Sequence, residues 1–319
     1  MRVYIAVKNG IGNFIMLTPM IQALYKLYGN RIDMWFDPTD TRLPAFNDIV
    51  DNWDMVARAD EHREYDLVII PWGEFPQTQD FRGKKRIHYR ELGTWDITKE
   101  HEVLYNMRLA RAAGYEGVVP PLYCPVSSKD PVGYVGTKRV VIHTGSRPET
   151  WWMKKRWGIE NWIEICKHMI GKGYDVVFIG GKDELSDESM ISTELNKDSY
   201  SDHFWPMCGT TTITETARII RDADLMLTTD SGPMHIAAAV NTPLIALFGP
   251  TRHTKNGPYM DGARVVRSRV DCAPCHGTED FTKCTNNICM QSISTDIVKQ
   301  QIEEIIAQNT LHCAPHSNR

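Results

Sequence analysis

Short apolar runs rich in Val and Ile recur along this chain, each cut off by Gly, Asp, Asn or Pro and followed by a longer segment of helical period. Val3–Val7 leads through Lys8–Asn13 into Phe14–Tyr28, where Phe14, Leu17, Ile21, Leu24 and Tyr28 fall on one helical face. Ile32–Phe36 and Leu67–Ile70 have the same strand texture, and Glu102–Ala113 reads as a helix stopped by Gly114. A second series follows. Its strands are Arg139–His143, Asp175–Ile179, Leu225–Thr229, Leu244–Phe248 and Arg264–Ser268, and its helices are Asn161–Gly171, Ile213–Asp222 and Pro233–Val240. Strands that are apolar along their whole length must be covered on both faces, and their alternation with helices calls for parallel sheets. Residues 115–137 separate the two series with Gly117, Pro120, Pro121, Pro125, Pro131, Gly133 and Gly136 and no helical period. A length of 319 residues is about two ordinary domains. The expected fold is α/β, two doubly wound Rossmann-like domains facing each other across a cleft, residues 1–130 and 131–319.

Charge excludes some function classes. The 36 basic and 40 acidic side chains leave a net charge of −4, which argues against a surface coated for non-specific nucleic-acid binding. Arg82, Lys84, Lys85, Arg86 and Arg90 form one basic run, read either as a solvated loop or as a site for an anionic acceptor. No apolar run is long enough to span a membrane, and no export signal precedes the first strand, so a cytoplasmic address is expected. Cys272, Cys275, Cys284 and Cys289 are spaced Cys-x2-Cys-x8-Cys-x4-Cys, which suits a structural zinc or iron site as well as free thiols or one disulfide.

The densest functional signal is Thr228-Thr229-Asp230-Ser231-Gly232-Pro233-Met234-His235-Ile236-Ala237-Ala238-Ala239. It follows a buried strand and opens a helix of small residues, which places Asp230, Ser231 and Gly232 at the carboxyl end of a sheet, where open α/β folds bind ligands. Free N–H groups at the helix start suit a diphosphate, and His235 on the first turn can reach a phosphate oxygen. The plainer alternative is that Asp230 caps the helix and His235 is a packed surface histidine. Lys155, in the run Met153–Arg156 after the strand that ends at His143-Thr144-Gly145-Ser146, offers positive charge to a departing diphosphate. Thr144 and Ser146 add hydroxyl donors. Asp183 or Glu184, after Gly180-Gly181, is placed to accept from ribose hydroxyls or simply begins an acidic helix. Trp151 or Trp152 can stack on a base or sugar, whereas Trp157 and Trp162 read as core.

The Asp230–Ala239 string, followed by Thr242-Pro243 and Leu247-Phe248-Gly249-Pro250-Thr251, resembles the nucleotide-sugar motif of glycosyltransferase family 9, the ADP-heptose:lipopolysaccharide heptosyltransferases. Gly10-Ile11-Gly12-Asn13 with Leu17-Thr18-Pro19, His101-Glu102-Val103 with Asn106, Lys155-Arg156-Trp157, and Cys208-Gly209-Thr210 are similar to further family segments, with Gly158 where Pro is common. The resemblance implies the two-domain GT-B fold and an inverting, metal-independent transfer of a sugar, heptose from ADP-heptose above all, to a hydroxyl acceptor such as lipopolysaccharide core. It implies donor binding by Thr144, Ser146, Lys155, Glu184, Asp230, Ser231, Gly232 and His235. The acceptor is expected at Gly10, Gly12 and the basic Lys84, Lys85 and Arg86. No cofactor is required for catalysis, and a lipid-linked acceptor would bring the enzyme to the inner membrane as a peripheral protein.

One departure matters. Many family members carry Asp, the expected general base, where this chain has Asn13, and an amide accepts no proton at neutral pH. Glu74 is the expected substitute, with Asp37 weaker. The alternatives are a protein or modified nucleic-acid acceptor, or a non-catalytic nucleotide-sugar-binding relative. An epimerase or dehydrogenase is disfavoured, because no Gly-x-Gly-x-x-Gly follows the first strand.

Overall fold

The structure is a computed structural model and describes residues 1–7, 10–60, 63–72, 83–133, 136, 138–145 and 152–312. The first half contains β1 (Val3–Val7), α1 (Ile11–Tyr28), β2 (Ile32–Phe36), α2 (Leu43–Asp51), β3 (Val56–Arg58), β4 (Tyr65–Ile70), β5 (Gly83–His88) and α3 (Glu102–Ala112). Its strands form a parallel sheet in the order β3-β2-β1-β4-β5. The second half contains β6 (Arg139–His143), α4 (Ile159–Gly171), β7 (Asp175–Phe178), α5 (Leu185–Lys197), β8 (Phe204–Pro206), α6 (Ile213–Arg221), β9 (Leu225–Thr229), α7 (Gly232–Ala239), β10 (Leu244–Phe248), α8 (His253–Asn256), β11 (Arg264–Arg267), α9 (Glu279–Lys283), α10 (Ile288–Gln291) and α11 (Thr295–His312). Its parallel sheet runs β11-β10-β9-β6-β7-β8. Strand order reverses between β1 and β4 in one sheet and between β6 and β9 in the other, the places where doubly wound sheets open a crevice at their carboxyl ends.

Sequence pattern located α1, α3, α4, α6 and α7 and most strands of about five residues, and missed the helices α2, α5 and α11 as well as the shortest strands. β3 and β8 are three residues each, too short to show a period. Within the basic run, Lys84, Lys85 and Arg86 lie on an edge strand rather than a loop, Arg90 follows in a short 3-10 turn, and Arg82 lies outside the described residues. Lys85 lies opposite Leu67 and Arg86 opposite Val68 in β5, with only Ile87 of that strand buried. Charged side chains on an exposed edge oppose further strand addition, which explains why a strand here looks polar.

α1 carries Pro19 in its interior. Proline has no N–H to give the carbonyl four residues back. The buried Thr18 hydroxyl donates to that carbonyl, Ile15 O, at 2.7 Å and itself accepts from the Tyr123 N–H at 2.8 Å. The Thr18-Pro19 pair thus fits a helix that is buried along most of its length. The helix ends at Gly29, which adopts φ 68 and donates to Tyr25 O.

One apolar cluster runs from Phe14, Leu17 and Phe46 of the first half to Ile179, Ile219, Met234 and Ala237 of the second. The facing sides of the two halves therefore share a core, while Trp162, Phe178 and Ile302 fill a separate one on the far side of the second sheet. Polar ties reinforce the join. Asp48 of α2 accepts from the Thr214 N–H at the start of α6 at 2.8 Å. His101 Nε2 lies 3.0 Å from Gly257 O, and its Nδ1 accepts from the Val103 N–H at 3.2 Å. Accepting at one nitrogen leaves the proton on the other, so His101 is neutral here, in keeping with the way burial lowers its pKa.

Candidate active site

The carboxyl ends of the two sheets enclose a cavity of about 760 Å³. Gly10, Gly12 and Trp72 border it from the first half, and His143, Gly145, Asp230 and Ser231 from the second. Both strand-order reversals open onto the same space.

Two helix starts meet there. α1 begins after Gly10 and α7 after Ser231, and neither start has a side-chain cap, so both leave backbone N–H groups for a ligand. Their approach is close enough to dictate residue type. A Cβ on Gly12 would fall 2.6 Å from His235 Cδ2, whereas one on Gly232 would lie at ordinary contact distance, 3.6 Å, from the Gly12 nitrogen.

Asp230 does not cap α7. Its carboxylate pairs with Lys155 Nζ at 2.7 Å, both side chains being largely buried. Burial pushes the Asp230 carboxyl up, but the Lys155 ammonium and its hydrogen bond outweigh that and hold it below the usual range. Lys155 Nζ also lies 4.5 Å from the centre of the Trp152 ring. His235 is buried rather than on the surface, and its Nδ1 has no hydrogen-bond partner among the described residues. Burial lowers its pKa to about 4, so the ring is neutral. His143 is likewise neutral, pushed down to about 3 by burial and by Arg156, and its Nδ1 is 3.2 Å from both Thr228 Oγ1 and Ser231 Oγ.

Glu184 lies against Gly145, Gly180 and Gly181, accepting from the Gly181 N–H at 2.8 Å. Its carboxyl is raised by burial, which the Gly181 bond and Arg156 counter in part. Asp183 shares the cavity wall. Thr144 departs from expectation. It is buried behind the wall, and its hydroxyl is committed to Asp187 at 2.6 Å because Arg156 draws that carboxylate against the strand end. Ser146, Trp151 and Glu74 lie outside the described residues.

On the opposite wall Asn13 Nδ2 donates to Glu102 Oε1 at 2.7 Å. Glu102, in the first turn of α3, is 1% exposed, and burial pushes its carboxyl up to about 7, a rise tempered by the Asn13 bond and by Lys255 and increased by Asp230. Sequence reasoning placed Glu102 in a family-like segment but gave it no role, since 89 residues separate it from Asn13. Lys255, whose Nζ sits 4.7 Å from the Trp95 ring centre, and Arg42, paired with Asp40, are further cavity residues that sequence did not single out. Asp37 is occupied by the Thr39 N–H and hydroxyl at 2.9 and 2.6 Å and does not border the cavity.

Two expected groups lie elsewhere. Lys84, Lys85 and Arg86 are exposed on β5, away from the cavity wall, and Lys84 pairs with Asp66 at 2.8 Å. Cys272, Cys275, Cys284 and Cys289 border a separate space of about 40 Å³ as free thiols. No group of three or more His, Cys, Asp or Glu among the described residues is arranged to hold a metal ion. All four thiols border that one space, Cys289 also packing toward Gly249 in the core, and the structure lends the expected zinc or iron site no support.

Comparison with known proteins follows this geometry. Residues 127–286 match the family described as glycosyltransferase family 9 (heptosyltransferase). The chain is 34% identical over 115 residues to lipopolysaccharide heptosyltransferase 2 of Escherichia coli strain K12, a match covering 35% of this chain and 32% of that protein. It is 27% identical over 292 residues to lipopolysaccharide heptosyltransferase 3 of Escherichia coli, covering 78% of this chain and 84% of the relative. The first of these matches spans about a third of the relative's length. The solved structure of E. coli ADP-heptose lps heptosyltransferase II superposes with a TM-score of 0.78 at 18% identity, covering 97% of this chain and all of the other, which establishes a common GT-B fold. With the family match extending over half of its length, the chain belongs to glycosyltransferase family 9.

Proposed function

We propose that this protein is an inverting glycosyltransferase that moves a heptosyl group from an ADP-activated donor to a hydroxyl of a lipopolysaccharide-core type acceptor. The observation that carries this reading is the meeting of the α1 and α7 N-termini at one cavity, with Lys155 and Lys255 on its wall. Uncapped helix N-termini and buried cations are what a diphosphate leaving group requires as its charge grows. In this reading Ser231, Gly232, His235 and Lys155 hold the diphosphate, with the orphaned His235 Nδ1 available to a phosphate oxygen, and Glu184 meets the nucleoside. The acceptor enters beside Gly10, Gly12 and Asn13. Charge on the leaving group is met by side chains and backbone, so transfer proceeds without a metal ion.

The test is incubation with ADP-heptose and a deacylated core oligosaccharide, with and without EDTA, read by mass spectrometry of the product and NMR of the new anomeric centre. Heptosylation with inverted configuration that survives EDTA is expected. Failure to bind ADP, or binding without transfer to any core acceptor, would sink the reading. Lys84, Lys85 and Arg86 then serve the remote anionic part of a lipid-linked acceptor at a membrane surface. Neutralising all three to Gln is expected to raise KM for the lipid-linked acceptor several-fold and to leave kcat unchanged, and an unaltered KM would remove them from acceptor binding.

A further inference from the structure

Transfer from a nucleotide sugar needs a group to take the acceptor proton, and the residue where the family resemblance would put a carboxylate is an amide in this chain. The structure places a carboxylate one hydrogen bond away. Asn13, in the half-buried first turn of α1, directs its Nδ2–H at Oε1 of Glu102, buried in the first turn of α3, at 2.7 Å. Both side chains border the cavity, and the second carboxylate oxygen of Glu102 has no hydrogen-bond partner among the described residues. We propose that Glu102 is the general base of this enzyme and that Asn13 is its positioning residue. The proposal rests on the transferase reading above and adds to it the identity of the base.

The two side chains are a matched pair. A carboxylate at both positions would put two like charges in hydrogen-bond contact and force them to share a proton, whereas an amide donor leaves Glu102 free to ionise. The charged and titratable groups around it divide in sign. Lys255 of α8 favours the carboxylate and Asp230 before α7 opposes it, while His101 on its own helix and His235 of α7 are neutral. Burial carries the Glu102 carboxyl up to about 7, where a base is both ionised and strong enough to accept a proton near neutral pH.

In the step itself the acceptor O–H proton passes to Glu102. The oxygen forms its bond to the anomeric carbon as the bond from that carbon to the diphosphate oxygen breaks. The electron pair stays on the departing nucleoside diphosphate, whose added charge faces Lys155, Lys255 and the α7 N–H groups. The proton on Glu102 is later lost to water.

Glu102→Gln keeps the shape and the Asn13 contact. It is expected to leave ADP affinity within about twofold of wild type and thermal stability at or above that of wild type, while lowering kcat for heptose transfer by about 10²–10⁴-fold, the usual worth of a general base. Wild-type kcat is expected to rise with pH along a limb centred near 7, and that limb should be missing from the residual rate of Glu102→Gln. Asn13→Ala removes a bond that favours the ionised form, so its limb should move to higher pH, and a merely structural role for Asn13 would not move it. Asn13→Asp with Glu102→Gln returns a carboxylate across the same hydrogen bond and is expected to recover at least tenfold of the lost rate. The proposal is overturned if Glu102→Gln transfers heptose within threefold of wild type, or if its pH limb persists. A wild-type protein that binds ADP but transfers heptose to no core acceptor overturns the transferase reading and this proposal together.

Discussion

At the scale of single residues, the cavity holds an ion pair and two neutral histidines whose burial has measurable consequences. The Lys155–Asp230 pair is the more consequential for stability. Removing one partner of a buried pair leaves the other charge uncompensated, at a cost of about 3–5 kcal/mol. Lys155→Met is therefore expected to lower unfolding free energy by that order, measured by urea denaturation, and the further change Asp230→Asn to restore most of it without restoring transfer. Equal stability of Lys155→Met and wild type would show that Asp230 is compensated by another group. His143 and His235 have pKa values of about 3 and 4 in the folded protein against an ordinary 6.5. The unfolded chain then binds more protons than the folded one below about pH 6.5, so stability is lost as pH falls from there toward 4, by at most about 1.4 kcal/mol per pH unit for each proton. Glu102, raised above its ordinary 4.5, acts in the opposite direction and costs stability as pH rises from 4.5 to about 7. Replacing His235 by Asn should flatten the acid side of a stability-versus-pH curve, and an unchanged slope between pH 4.5 and 6.5 would contradict its buried, neutral state.

Among the elements, α1 shows how a short motif serves structure and site together. Gly12 at its start permits the contact with His235, and Thr18-Pro19 one and a half turns later solves a problem that proline creates. Thr18→Val keeps the volume and removes the donor, leaving Ile15 O unpaired in the core and the Tyr123 N–H without its acceptor. Buried unsatisfied groups cost about 1–3 kcal/mol each. A fall in stability of that size is expected, visible as a lower urea midpoint at unchanged slope. Thr18→Ser, which keeps the hydroxyl, should lose less, and if it loses as much as Val the hydroxyl is not the reason for Thr18. The motif was legible in the sequence as a resemblance, but its cause was not, because Ile15 O becomes an orphan only once the helix is known to run through Pro19.

Over the whole molecule, the halves that sequence separates by composition are joined by one apolar cluster and by the Asp48–Thr214 and His101–Gly257 bonds. A shared core couples the halves on unfolding. We expect one thermal transition by calorimetry, with the calorimetric and van't Hoff enthalpies in agreement; two resolved transitions would show that the shared cluster does not couple them. The same docking decided the site. Alternating apolar strands and helical segments were enough to imply two doubly wound sheets, because strand burial and helix amphipathicity are local properties written in residue order. The Asp230–Ala239 string was enough to place an uncapped helix start at the end of a sheet, since that pattern sits in adjacent residues. Glu102 was out of reach of such reasoning, as were the occupation of Thr144 by Asp187 and the edge-strand position of Lys84–Arg86. Each depends on which side chains meet across separations of tens of residues, and on how much water is excluded where they meet. Sequence by itself determined the architecture and the helix start at Ser231; only the packing of one half against the other decided that Glu102 is the carboxylate buried against Asn13 at the cavity.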